Sequence, residues 1–103
     1  MAFRRRRFAD LVERQLDLFE TESAGLLDDV DEALEAYNTA DRDDAEELYG
    51  DYVDRVDLAR EELEELRDAS RLTLEEAAAE EYATAFAAAA RVRFPHLALE
   101  LDD

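Results

Sequence analysis

The chain has 103 residues, of which 30 are Asp or Glu and 12 are Arg, so that its net charge is −18 at pH 7. This length predicts one domain, and a hydrophobic share of 48% excludes a disordered acidic tail. The absence of Cys excludes disulfides and thiolate metal sites, while the strong negative charge argues against binding to membrane surfaces or directly to nucleic acid.

Four consecutive basic residues stand near the start of the chain: Arg4, Arg5, Arg6 and Arg7. Asp10 and Glu13 interrupt any apolar run after them, so we expect no signal peptide. Positive charge in a first helical turn opposes the helix dipole. We therefore interpret the block as a terminus held loosely against an acidic rim, or else as a contact for a polyanion or an acidic partner.

The first long helix is predicted over about residues 5–38. Apolar doublets recur at intervals of seven, eight and seven, from Leu11 and Val12 to Ala33 and Leu34, and this is close to the 3.6-residue helical period. Gly25 lies in the middle and is able to end a helix as a C-cap. Because the apolar pattern continues across Gly25, we favour a continuous or kinked helix.

Two further helices are predicted over about residues 42–70 and 74–94. Acidic residues after Asp41 suit the positive N-terminal end of the second helix, and its apolar positions step by threes and fours. Thr73 and Glu76 form the pattern of a capping box at the start of the third helix, and Pro95 ends it. The alanine run at 87–90 makes the third helix thin enough to approach its neighbours closely.

The last segment, residues 95–103, changes its hydrophobic period. Leu97, Leu99 and Leu101 alternate with other residues, and alternation is typical of extended chain rather than helix. We therefore predict an extended C-terminal tail, which either adds as a strand to a partner's sheet or folds over its own helices.

Together these elements predict an all-α fold, an antiparallel up-down-up three-helix bundle followed by the tail. At 1.5 Å per residue the third helix is about 20 Å shorter than the first. The outer part of the hairpin formed by the first two helices then lacks a third neighbour. Because large exposed apolar surfaces usually mark interaction sites, this part of the hairpin is the predicted binding surface.

The predicted partner-binding residues are apolar and aromatic side chains of that hairpin and of the tail: Leu26, Leu27, Val30, Leu34, Tyr37, Tyr49, Tyr52, Leu97, Leu99 and Leu101. Tyr is enriched at protein contacts. We expect the partner to be another protein or a second copy of the chain, and we expect a cytoplasmic location, with which the absence of Cys is compatible.

Two alternatives remain. Glu47, Asp51, Asp54, Glu61 and Glu65 form an acidic stripe on the second helix, which could imitate a phosphate backbone and inhibit a nucleic-acid-binding protein. A carboxylate-rich bundle could also hold metal ions through residues such as Glu20, Glu35, Glu80 and Glu81, although no Glu-x-x-His motif occurs.

Catalysis and cofactors are not expected. A nucleophilic mechanism would depend on Ser23 or Ser70 with His96, the single His of the chain, as its base. Two glycines do not form a phosphate-binding loop. We therefore expect a protein without catalytic residues, without a cofactor and without a resident metal.

Overall fold

A computed structural model of the chain describes residues 7–98. These residues form five helices: α1 (Ala9–Glu22), α2 (Ala24–Asn38), α3 (Ala45–Arg71), α4 (Glu76–Arg93) and α5 (Pro95–Ala98). The prediction of an all-α fold is confirmed for this part of the chain. The molecule is elongated, with principal extents of 51 × 22 × 22 Å, because long helices lie side by side.

The first predicted helix is interrupted at Ser23, between α1 and α2. Ser23 has φ −104° and ψ 21°, which departs from helical values. Backbone hydrogen bonds nevertheless continue across it, from Ser23 N to Phe19 O (2.8 Å) and from Leu27 N to Ser23 O (3.0 Å). The junction is therefore a kink. Gly25 lies inside α2 with a negative φ, so the alternative in which Gly25 caps and splits the helix is wrong.

Helix α3 runs antiparallel to α1 and α2. Near one end of the molecule Gln15 Nε2 donates a 2.8 Å hydrogen bond to Ser70 Oγ. Near the other end the rings of Tyr37 and Tyr49 lie 5.2 Å apart. Residue numbers therefore rise along α1 and α2 in the direction in which they fall along α3.

Helix α4 runs parallel to α1. The rings of Phe8 and Tyr82 meet edge to face at 5.8 Å, and those of Phe19 and Phe94 at 5.4 Å. The predicted capping box at the start of this helix does not form. Thr73 Oγ1 donates instead to the Ser70 carbonyl at 2.8 Å, and the helix begins two residues later than predicted, at Glu76.

One hydrophobic core joins all five helices of the described part of the chain. Small side chains on α3 and α4 let the helices approach closely around a few large ones. The core consists of Phe8, Val12, Leu16, Phe19, Val30, Val56, Ala59, Leu63, Tyr82, Phe86, Ala87, Ala90 and Leu97. Since its α2 and α3 members end at Val30 and Val56, the far end of the α2–α3 hairpin lies beyond it.

The prediction of an extended tail is wrong for residues 95–98. Pro95 occupies the first position of helix α5, where its missing N–H and fixed φ are favourable, and Leu97 N donates to Phe94 O at 3.0 Å. Leu97 is buried in the core. Its burial favours a helical turn over the extended chain that the alternating leucines predicted. The other predicted tail residues, Leu99 and Leu101, lie outside the described part of the chain.

Candidate partner-binding surface

The α2–α3 hairpin extends past the end of α4. The ring contact of Phe94 with Phe19 places the end of α4 at the level of the end of α1. Helix α2 continues for 15 residues from that level, or about 22 Å at 1.5 Å per residue. Helix α5 has only four residues and covers the beginning of this stretch.

The outer end of the hairpin carries a group of aromatic and aliphatic side chains that we call the tyrosine end. Its members lie past the core or at its edge: Leu34, Tyr37, Leu48, Tyr49 and Tyr52. All except Tyr49 are half-buried, because the two helices cover only the sides that face each other. Tyr49 is 51% exposed.

The three tyrosine rings form a chain of contacts. Tyr37 and Tyr49 have ring centroids 5.2 Å apart at an angle of 57°, and Tyr49 and Tyr52 have centroids 6.4 Å apart at 46°. Such tilted pairs contribute about 0.5–1.5 kcal/mol each beyond the area they bury. The contacts hold Tyr49 in a defined position although half of its surface faces solvent.

The inner part of the predicted surface belongs to the chain's own core. Val30 and Leu97 are both buried in it, and Leu26 and Leu27 pack against it. Val30 and Leu97 are therefore not available to a partner in this structure, because α5 folds onto the hairpin. For residues 95–97 this is the second of the two arrangements considered for the tail.

Only the last member of the arginine block, Arg7, lies within the described residues. Its guanidinium carbon lies 5.2 Å from the centroid of the Phe8 ring, and Nη1 lies 3.7 Å from Glu81 Oε2. These contacts place Arg7 against the first half of α4, beside the acidic side chain of Glu81. Arg4, Arg5 and Arg6 lie outside the described part of the chain.

A cluster of ion pairs, which the sequence did not reveal, joins α4 to α1. Arg93 Nη1 donates to Asp17 Oδ1 at 2.6 Å, and Nη2 donates to Glu13 Oε2 at 2.5 Å. Glu20 Oε1 lies 3.6 Å from Nη1. The hydrogen bond to Asp17, reinforced by the neighbouring carboxylates, raises the pKa of Arg93. The spacing of the three acids by three and four residues was a signal for a shared partner.

A polar network crosses the interior of the helix pack. Tyr82 donates a 2.7 Å hydrogen bond to Gln15 Oε1, and Gln15 in turn donates to Ser70. Arg67 is buried, and its Nε donates to Asp68 Oδ1 at 3.0 Å. Burial raises the pKa of Tyr82 above its ordinary value, so the phenol stays protonated and continues to donate.

The residues considered above for metal binding, catalysis and phosphate mimicry have the following surroundings in the described part of the chain. Within residues 7–98, no three His or carboxylate side chains converge as metal ligands would, and Glu20 lies against Arg93. Ser70 Oγ accepts from Gln15, and His96 is exposed on α5. All five residues of the predicted acidic stripe on α3 are exposed.

Comparison of the chain with protein-family models, curated proteins and solved structures found no match. None of the helices in the described range has both the length and the apolar character needed to cross a bilayer. The geometry of the chain itself therefore provides the arguments for its function.

Proposed function

We propose that the protein is a non-enzymatic helical protein that acts by binding another protein through the tyrosine end. In this proposal the long helices form an up-down-up arrangement that holds the α2–α3 hairpin rigid at its base. The observation that carries the proposal is the exposed Tyr49 ring, held between Tyr37 and Tyr52 at the end of a hairpin that extends beyond the core.

The chemistry of this surface suits a protein contact. A Tyr side chain offers a large apolar ring with a polar hydroxyl and loses little rotational freedom on binding. Residues that dominate binding energy are commonly aromatic and cluster at the centre of an interface. The ring contacts fix Tyr49 before any partner arrives, and this lowers the entropic cost of ordering it.

The test is native co-purification of the tagged full chain, with wild type, Tyr49→Ala and Leu58→Ala compared side by side. Leu58 is a matched control because it lies on the same helix and is 48% exposed, close to the 51% of Tyr49. Mass spectrometry identifies the retained species and light scattering gives the particle mass. We expect Tyr49→Ala to reduce retention about tenfold or more, while Leu58→Ala retains the partner.

Two results would reject this proposal. One is a lone monomer with no co-purifying species under native conditions. The other is equal retention by Tyr49→Ala and Leu58→Ala, since a general apolar effect would then explain the binding. A dimer of the chain that Tyr49→Ala dissociates would identify the partner as a second copy at the same surface.

A second candidate function is inhibition of a nucleic-acid-binding protein by phosphate mimicry, favoured by the exposure of all five residues of the α3 acidic stripe. Binding of this kind weakens steeply with salt, because it depends on charge. Apolar docking at the tyrosine end is nearly insensitive to salt. Measuring retention of the partner at low and high NaCl therefore separates the two functions.

A further inference from the structure

Helix α4 is apolar on nearly all sides but buries only one of them. Its buried side consists of Ala79, Tyr82, Ala83, Phe86, Ala87 and Ala90. On the opposite side Ala77, Thr84 and Ala88 are exposed, and Val92 is 84% exposed. A helix that is hydrophobic all round is normally buried all round, so the outer side of α4 has the composition of a contact surface.

This side of α4 forms one wall of a groove against α1. The groove has a volume of about 980 Å³, and Ala9 and Val12 of α1 complete its floor. No side chain on the floor is larger than Val, so the backbone of an added helix can approach closely. Two parallel helices with a smooth apolar seam between them provide the shape into which a third helix packs.

The rim of the groove is acidic. Exposed Glu13 lies on the α1 side and exposed Glu80 on the α4 side, beside the half-buried Glu81. Arg93 and Arg7 contact two of these carboxylates, but the chain as a whole carries a net charge of −18. A second copy would bring the same carboxylates and the same net charge to the groove, and like charges across an interface oppose binding.

We propose that the α1–α4 groove binds an α-helix of another protein, with a stripe of aliphatic side chains flanked by Arg or Lys. The aliphatic stripe would cover the alanine floor, and the flanking cations would face Glu13, Glu80 and Glu81. Electrostatic attraction to the acidic chain would speed association. The groove lies on a different side of the molecule from the tyrosine end, so this proposal does not rest on the proposed function.

The probe is a synthetic amphipathic helical peptide with a Leu stripe flanked by Arg, together with a counterpart in which Glu replaces Arg. Each is titrated into the full-length protein by calorimetry. A cationic peptide also attracts any acidic protein, so the variants must separate docking from general attraction. Ala88→Glu places a charge on the groove floor, and Ala69→Glu places one on an exposed position of α3.

The effect of Ala88→Glu on peptide affinity distinguishes docking in the groove from general charge attraction. General attraction predicts that both added carboxylates leave binding unchanged or tighten it. Docking in the groove predicts that Ala88→Glu weakens binding at least about tenfold, because burying an unpaired charge is costly, while Ala69→Glu does not weaken it. Thermal unfolding of both variants checks that the fold is kept, and amide chemical shifts should change along α1 and α4.

The proposal is overturned by several results. These are the absence of saturable binding to wild type, equal binding of the two peptides, and wild-type affinity in Ala88→Glu. A dimer that Ala88→Glu dissociates also overturns it, because the occupant would then be a second copy. Variants at Tyr49 should leave peptide binding unchanged, so failure here is distinguishable from failure at the tyrosine end.

Discussion

Tyr82 and Gln15 are 67 positions apart in the chain, yet the Tyr82 hydroxyl donates a 2.7 Å hydrogen bond to Gln15 Oε1. The Tyr82 ring is fully buried between Phe8 and Phe86. Since Gln15 also donates to Ser70, this one amide joins α1, α3 and α4. A shift of any of the three helices along its axis would break a hydrogen bond in the interior.

We expect Tyr82→Phe to lower the free energy of unfolding by about 1–2 kcal/mol, because Gln15 Oε1 loses its donor while little volume changes. Urea unfolding monitored by circular dichroism measures the loss. Tyr37→Phe is the matched control, since its half-buried ring lies at the far end of the hairpin. A loss in Tyr82→Phe no larger than in Tyr37→Phe would show that the network contributes nothing to stability.

Stability should also fall at alkaline pH through Tyr82. Burial raises its pKa in the folded state above the ordinary value of 10.0, whereas the unfolded chain releases the proton near pH 10. Unfolding is therefore favoured as the pH rises from 10 towards the folded-state pKa, and Tyr82 has no such effect below pH 10.

Unfolding free energies measured on both sides of pH 10 test this dependence. We expect a shallower alkaline decline in Tyr82→Phe than in wild type. Near-ultraviolet absorbance of phenolate gives a second measurement, because Tyr82 is one of four tyrosines and its ionisation should form a late phase. Two results would contradict the assignment of the late phase to Tyr82. One is a wild-type titration without a late phase, and the other is a late phase that persists in Tyr82→Phe.

Leu97 should hold the last helix onto the hairpin. It is buried in the core, whereas its neighbour His96 is exposed. Leu97→Ala should lower the free energy of unfolding by about 2 kcal/mol. His96→Ala should lower it by less than about 0.5 kcal/mol. Chemical denaturation measures both variants. Equal effects would mean that Leu97 contributes no more to the core than its exposed neighbour does.

Hydrophobic periodicity predicted much of this fold because α1 alternates apolar and charged residues. Val12, Leu16 and Phe19 repeat at helical spacing and all three are buried. The same method could not orient α4, where alanines occur on every side. Only the packed structure shows which side of α4 meets α1 and α3 and which side forms the groove.

The candidate site was less predictable than the fold, because it depends on contacts between distant residues. The tyrosines were predicted as a group, but the burial of Leu97 in the core requires a helical turn that three alternating leucines did not indicate. Pro95 at the first position of α5 was the missed signal. The contact of Arg93 with three acids of α1 depends on the parallel alignment of α1 and α4, which is a tertiary property.

The Arg93 cluster should make stability depend on salt. In Arg93→Gln the carboxylates of Glu13, Asp17 and Glu20 lose their shared cation and repel one another. Because the three acidic side chains are mostly exposed, solvent screens their charges. We therefore expect Arg93→Gln to lower the free energy of unfolding by only about 0.5–1 kcal/mol at low ionic strength. The difference from wild type should shrink in high NaCl.

Thermal unfolding at low and high NaCl measures this effect, with Arg42→Gln as the control on the exposed turn before α3. Both variants remove one positive charge, so the change in net charge is the same. If Arg42→Gln shows the same loss and the same salt dependence, net charge rather than the cluster is responsible.

The two glycines reduce stability without a structural reason for their presence. Gly25 and Gly50 lie inside helices with negative φ, and an added Cβ would meet nothing within 4 Å at either position. Gly25→Ala and Gly50→Ala should each raise the unfolding free energy by about 0.5–1 kcal/mol, because Ala restricts the unfolded chain and fits the helix.

The double variant extends this last prediction. The two positions lie on different helices, and the effects of changes at independent sites add. The double variant should therefore raise the free energy of unfolding, measured in urea, by about 1–2 kcal/mol. A Gly25→Ala variant that loses stability would show that the kink at Ser23 depends on glycine two residues later. A gain at both positions would instead show that the kinked structure does not depend on glycine at position 25.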